Sequence, residues 1–371
     1  MRKSCVVTLM ISAAVLAAKE PSSVRHVIVY KETGRYAGWP ANHGAWQWGN
    51  ELLVGFEIGY LKATDKYHAI DYDRPEEHVL ARSKDGGETW TIEKPEGLRP
   101  PPGARVAGVP VAGGKPVTDF TGRMDFKKPG FAMTLRMESF HFGPSRFYYT
   151  EDKGKSWNGP FRVPDFDTPG TAARTDYLID GPHEATVFLT AAKSDKREGR
   201  LLCARTTDGG RTFKFISWIV PEGEGFAIMP SSVRLSPTTI LTSIRRRSPA
   251  KGNWIELQRS DDNGATWKLV SIVTPEASAK SSNPPSMIKL KDGRLCITYG
   301  DRLPPYGIKA RLSRDAGKTW GEEIALRTGA GNHDLGYPRT FQRPDGKIVT
   351  AYYYNDKADG ERYIAATIWE P

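Results

Sequence analysis

Short runs in which apolar and polar residues alternate recur along the chain: "EHVLARS" at 77–83, "SRFYYT" at 145–150, "LLCART" at 201–206, "NWIELQRS" at 253–260 and "IKARLS" at 308–313. A period of two, with β-branched and aromatic residues, predicts half-buried strands. Each run ends in the same polar turn: "SKDGGETW" from Ser83, "TEDKGKSW" from Thr150, "TTDGGRTF" from Thr206, "SDDNGATW" from Ser260 and "SRDAGKTW" from Ser313. The Asp of each turn (Asp85, Asp152, Asp208, Asp262, Asp315) can accept backbone N–H bonds from its own loop. The glycine two residues on supplies positive φ, and the final aromatic packs back on the hairpin. These are five stapled β-hairpins.

A second hairpin pattern lies between the staples. "NPPSMIKLKDGRLCITYGDR" from Asn283 aligns without gaps to "GYPRTFQRPDGKIVTAYYYN" from Gly336, and more loosely to "IMPSSVRLSPTTILTSIRRR" from Ile228. Weaker copies begin at His43, Met124 and Thr175. Six inner and five outer hairpins predict an all-β fold of radially repeated four-stranded sheets, a six-bladed β-propeller. One strand, "RYIAATIWE", follows the last inner hairpin, and "SSVRHVIVYK" at 22–31 has no partner of its own. Pairing the two closes the ring and removes two open edges. One domain over residues 19–371 is expected.

The start, "MRKSCVVTLMISAAVLAAKE", joins Arg2 and Lys3 to a short apolar segment and small residues, the pattern of a cleaved signal peptide over residues 1–18. A secreted or periplasmic location follows as an expectation, with no membrane span. Cys203 and Cys296 then remain, on strands of blades that are not neighbours, and read as buried thiols. The formal charge of +10 is spread out, with only "IRRRSPAKG" at 244–252 concentrated. That argues against a nucleic-acid partner and suits an anionic glycan. The sequence leaves the oligomeric state open.

Strand direction assigns the two faces. Starts of first strands and ends of second strands share one face, and the five stapled turns lie on the other rim, so their Asp residues are structural. "SxDxGxTW" resembles the Asp-box of the sialidase (neuraminidase) superfamily, whose six-bladed propellers also carry an Arg early in the chain. The resemblance implies a secreted exo-acting glycoside hydrolase cleaving a terminal acidic sugar.

On the face opposite the boxes, "GRYAGWPANHG" supplies Arg35, Tyr36, Trp39, Asn42 and His43. Second-strand ends supply Glu57, Arg246, Arg247 and Arg302; first-strand starts supply Asp176, Asn283, Asp334 and Tyr337. Guanidinium forks grip a planar carboxylate at two points and stay charged. Sialidases hold their substrate carboxylate with three arginines, which the resemblance places at Arg35, Arg246 and Arg302, with Trp39 and Asn42 beside them. It also implies Tyr337 as nucleophile, since a neutral phenol is not repelled by a substrate carboxylate, and Asp356 as the brace of Arg35. The family's base position falls on Ser231, so Glu224 or Asp176 is expected to activate Tyr337. The acid/base falls among Asp65, Asp71 and Asp73, with Asp65 preferred and His43 as an alternative. The arginine motif reads "GRYAGW" where the family has Ile-Pro after its Arg. A lyase acting on uronic-acid glycans through Tyr337 and His43, or a lectin, are the competing readings. No cofactor is expected, and no residue spacing indicates a metal.

Overall fold

The computed structural model describes residues 21, 23–63, 68–102, 105–106, 109–110, 113–141, 143–274 and 283–371. Residues 1–18, read as a signal peptide, and Asp65 lie outside them. Among the described residues no helix is long and apolar enough to cross a membrane.

Six small antiparallel sheets form the ring. The first contains Arg35–Gly38, Ala45–Trp48, Glu51–Tyr60, Glu77–Ser83 and Thr91–Glu93; the second contains Ala132–Met137, Ser145–Thr150 and Asn158–Arg162. The third runs Tyr177–Ile179, Ala185–Ala192, Glu198–Thr206, Lys214–Trp218, and the fourth Phe226–Arg234, Ile240–Ser248, Gly252–Ser260, Lys268–Ile272. The fifth runs Ser286–Lys289, Leu295–Asp301, Gly307–Ser313, Ile324–Thr328. In the sixth, Gly336–Gln342, Ile348–Tyr354 and Tyr363–Trp369 are completed by Val24–Tyr30, with Val24 opposite Trp369 and Tyr30 opposite Ile364. The ring closes as the sequence predicts.

The first two blades depart from the expected hairpins. The inner strand of blade one is broken by the helical turn Pro40–His43, so Arg35–Gly38 pairs with the far half of Glu51–Tyr60 and Ala45–Trp48 with its near half. Arg35 is therefore a strand residue and not part of a loop before the blade. The hairpin expected from Met124 has no inner strand. Lys127, Lys128, Pro129 and Gly130 turn the chain away, and a Cβ on Gly130 would lie 2.4 Å from the Glu151 carbonyl oxygen. Side chains of blade three occupy the vacated edge: Leu135 N donates to Thr175 Oγ1 (3.0 Å) and Met133 N to Tyr177 Oη (3.1 Å). A strand edge buried without such partners would carry orphaned amides.

The boxes behave as staples. In the second, the Asp152 carboxylate accepts from Lys155 N, Ser156 N, Ser156 Oγ and Thr150 Oγ1 at 2.5–3.0 Å. The boxes also join blades. Trp267 Nε1 donates to Ser217 Oγ of the preceding blade at 3.0 Å, and Trp320 Nε1 to Ser271 Oγ at 3.0 Å. They sit beside the turns linking first and second strands, as in Gly86 N to Asn50 O (2.8 Å) and Asn263 N to Thr238 O (2.7 Å), which fixes them on one rim. Cys203 and Cys296 are buried and unbridged.

Asp152→Ala removes a local hydrogen-bond set and should lower unfolding free energy by about 1–2 kcal/mol in urea titrations. The side-chain and backbone bonds hold all five box carboxylates at about 2, despite the opposing effect of their slight burial. Because these pKa values are depressed in the folded state, their contribution is complete above about pH 4 and is lost as pH falls toward 2. Unfolding curves taken across that window should show a steep loss of stability.

Candidate active site

Two inner strands are bulged at the axis, between Ile228 and Ser231 and between Gly336 and Arg339. Each bulge puts a large residue at positive φ, Met229 at 55° and Tyr337 at 51°, and Trp39 joins them at 59°. All three pack in one buried cluster. Such backbone is strained for residues with a Cβ and persists only where its surroundings fix it. At Tyr337 the fixing group is Asn283, fully buried on the neighbouring blade. Its Oδ1 accepts from Tyr337 N at 2.7 Å and its Nδ2 donates to Leu335 O at 3.0 Å.

The strained backbone aims the phenol at the face opposite the boxes. Arg245 Nη1 donates to Tyr337 Oη at 3.2 Å, and the Arg302 guanidinium lies 5.7 Å from the centre of the same ring. Arg302 is held by Tyr353 Oη (3.1 Å) and Leu335 O (3.2 Å). Burial, opposed by the Tyr337 ring and reinforced by the charge of Arg302, lowers the pKa of Arg245. Two half-buried like charges thus lie against one tyrosine. A third cation, Arg174, pairs with Glu198 at 2.9 Å and donates to Asn42 Oδ1 at 3.3 Å.

Of the expected carboxylate ligands, Arg302 reaches this place and Arg246 and Arg35 do not. Arg246 points to the other side of its strand, to Glu256 at 2.9 Å and the Trp254 ring, because adjacent residues of a strand face opposite ways. Its neighbour Arg245 takes the inward position. Arg35 pairs with Glu77 at 3.1 Å and stacks on Tyr60, its cross-strand partner, at the edge of blade one. Asp356 does not brace it; Asp356 binds Lys31 (2.9 Å), Tyr363 Oη (2.7 Å) and Arg327 (3.3 Å).

Neither expected base reaches Tyr337. Glu224 is exposed between blades three and four. Asp176 accepts from Ser232 N (3.2 Å) and Oγ (2.7 Å) and lines an axial cavity of about 770 Å³. Trp46, Trp48, Ile179 and Phe341, near the ends of first strands, also line that cavity, which places it toward the box rim. Burial pushes the Asp176 carboxyl up to about 6.

Asp334 is buried and saturated by His68 Nδ1 (2.6 Å), Ala69 N (3.0 Å), Tyr353 Oη (2.9 Å) and Arg362 Nε (3.0 Å). Burial alone would raise its pKa; the His68 ring and the Arg362 guanidinium overcome this and hold it below the usual carboxylate range. Asp334 therefore anchors the segment at 68–70, and Trp39 packs edge-on to the same His68 at 5.1 Å.

His43 is buried in the helical turn, with Nε2 2.8 Å from Glu57 Oε1. Burial, with the charge of Arg136, pushes its pKa down to about 3, so at neutral pH the ring is uncharged. Glu57 also meets His78 at 3.4 Å, and the two rings keep it ionised against the cost of burial. The adjacent Glu76 is driven the other way, to about 10, by burial and by the Glu57 carboxylate. Sequence reasoning passed over Glu76, His78, Arg136, Arg174 and Arg245.

The architecture is a β-propeller of six sheets. Residues 136–350, more than half the chain, match the family described as BNR repeat-like domain. The chain belongs to that BNR repeat-like family. No curated protein matches it. Among solved structures, a Dyadobacter fermentans protein of unknown function is similar at 21% identity and TM-score 0.69, covering 94% of this chain and 99% of that one. Trypanosoma rangeli sialidase is similar at 12% identity and TM-score 0.61, over 94% of this chain and 60% of that one. Penicillium chrysogenum alpha-L-arabinanase, solved with arabinobiose, is similar at 11% identity and TM-score 0.58, over 93% and 98%. At these identities the likeness is one of fold.

Asn283→Ala leaves Tyr337 N without its acceptor and removes one of the two donors to Leu335 O. Chemical denaturation should show a loss of about 1–3 kcal/mol.

Proposed function

We propose that the chain is an exported glycoside hydrolase that releases a terminal sugar bearing a carboxylate. One observation carries the reading: two half-buried guanidinium groups, Arg245 and Arg302, stand against Tyr337 on the face opposite the boxes. Like charges held together in a low-dielectric place attract an anion, and a planar carboxylate suits their forks. The likeness to a sialidase and to an arabinanase supports a glycan substrate.

In this reading Arg245 and Arg302 hold the substrate carboxylate, which brings the anomeric carbon near Tyr337 Oη. Tyr337 Oη, oriented by the hydrogen bond it accepts from Arg245, keeps its proton and turns its oxygen toward the positive charge that builds on the anomeric carbon, and the water that attacks that carbon returns its spare proton to the donor that protonated the leaving oxygen. The glycosidic C–O bond breaks, the leaving oxygen takes a proton, and water supplies the new hydroxyl. The segment at 61–76 after the second strand of blade one supplies the proton donor, Asp65 holding the position implied by the sialidase resemblance.

A panel of aryl glycosides, sialosides and uronosides included, tests the reaction class. Free sugar without a new ultraviolet chromophore is expected; an unsaturated uronate product would make the protein a lyase, and stoichiometric binding without product a lectin. Tyr337→Phe should abolish release at an unchanged melting temperature. Arg245→Ala should lower kcat/KM by roughly 100-fold or more, the loss of a charge-assisted bond to a buried anion. Arg246→Ala should stay within about threefold, since its partner is Glu256. Equal losses for the two arginines would remove the carboxylate site.

A further inference from the structure

A second cluster lies under blade one and plays no part in the hydrolysis proposed above. Strand Glu51–Tyr60 turns Gly55, Glu57 and Gly59 to one side of the sheet. A Cβ on Gly55 would lie 2.7 Å from His43 Cβ, and one on Gly59 would lie 3.3 Å from Glu76 Cγ. Gly55 thus makes the room for His43 beside Glu57, while Gly59 yields chiefly to Ile70, whose Cδ1 would lie 2.6 Å from its Cβ. His78 is the cross-strand partner of Glu57, so its ring shares that side. Both imidazoles reach the same oxygen: Glu57 Oε1 is 2.8 Å from His43 Nε2 and 3.4 Å from His78 Nε2, and one donor atom from each of the three residues lies within 4.8 Å of the others. Glu76 is buried beside them, with its carboxyl against that of Glu57.

We propose that His43, Glu57 and His78, with Glu76 as a further oxygen donor, bind a divalent first-row transition ion of the zinc type. Two imidazoles with carboxylate oxygens form the donor set that such ions select. Residues 43, 57, 76 and 78 come together only through the helical turn and the strand pairing, which is why no linear spacing indicated them.

The experiment uses the whole chain stripped of metal, titrated calorimetrically with Zn²⁺ and followed in the visible with Co²⁺. One equivalent of either ion should bind, and Co²⁺ should give the intense absorption of a low-symmetry nitrogen and oxygen site. His78→Ala should abolish binding. Glu76→Gln should weaken it roughly 10- to 100-fold, and His141→Ala, outside the cluster, should leave it unchanged. Circular dichroism of each metal-free variant establishes folding. Should the substituted chains fail to fold, the unaltered protein decides: a weak, aquo-like Co²⁺ spectrum or no stoichiometric uptake overturns the site. Affinity equal in His141→Ala and His78→Ala supports it no further than a histidine outside the cluster would, and also overturns it. Binding is read without turnover, so this test and the hydrolase test fail separately.

Discussion

The pairing of Val24–Tyr30 with Tyr363–Trp369 is the contact on which the rest of the molecule depends. Five of the six blades present a narrow inner strand to the axis among the described residues, and an open arc of sheets would leave those strands without neighbours and two edges unpaired. Once the ring is shut, six inner edges face one another at short range, and residues far apart in sequence become neighbours. Arg245 and Tyr337, 92 positions apart, meet only for that reason.

Closure has a local cost at the axis, where regular inner strands crowd. The chain relieves it in three ways: bulges at Met229 and Tyr337, a helical turn within the inner strand of blade one, and no inner strand in blade two among the described residues. Each departure is tied down by polar groups of a neighbouring blade. Asn283 holds the Tyr337 bulge, while Thr175 Oγ1 accepts from Leu135 N and donates to His43 O at 2.8 Å. The irregular places and the chemically armed places coincide, as expected where backbone strain is retained for positioning.

The fold was legible in the sequence because its signal is redundant. Five boxes with the same Asp, Gly and aromatic spacing, each following a run of period two, admit few architectures. The site was legible only in part. Tyr337 and Arg302 could be placed because each adjoins a recognisable inner hairpin. Arg246 was preferred to Arg245 because a one-residue error in strand parity exchanges the two faces. Arg35 lies away from the site because its segment is a strand, Arg35 opposite Tyr60 and Tyr36 opposite Gly59, at the blade's edge. Glu76 and His78 escaped notice because their meaning arises from their place beside Glu57, which is informative only once the strand pairing is known.

The closing strand also fixes where the polypeptide leaves the ring. Val24 lies opposite Trp369, Arg25 reaches Glu88 of the first box at 2.5 Å, and Glu370 meets Lys347 at 3.6 Å. Both ends therefore emerge together on the box rim. A tether, fusion partner or solid support joined at either end holds the molecule with Tyr337 facing outward, so a bulky polysaccharide can approach an immobilised ring without obstruction from its attachment.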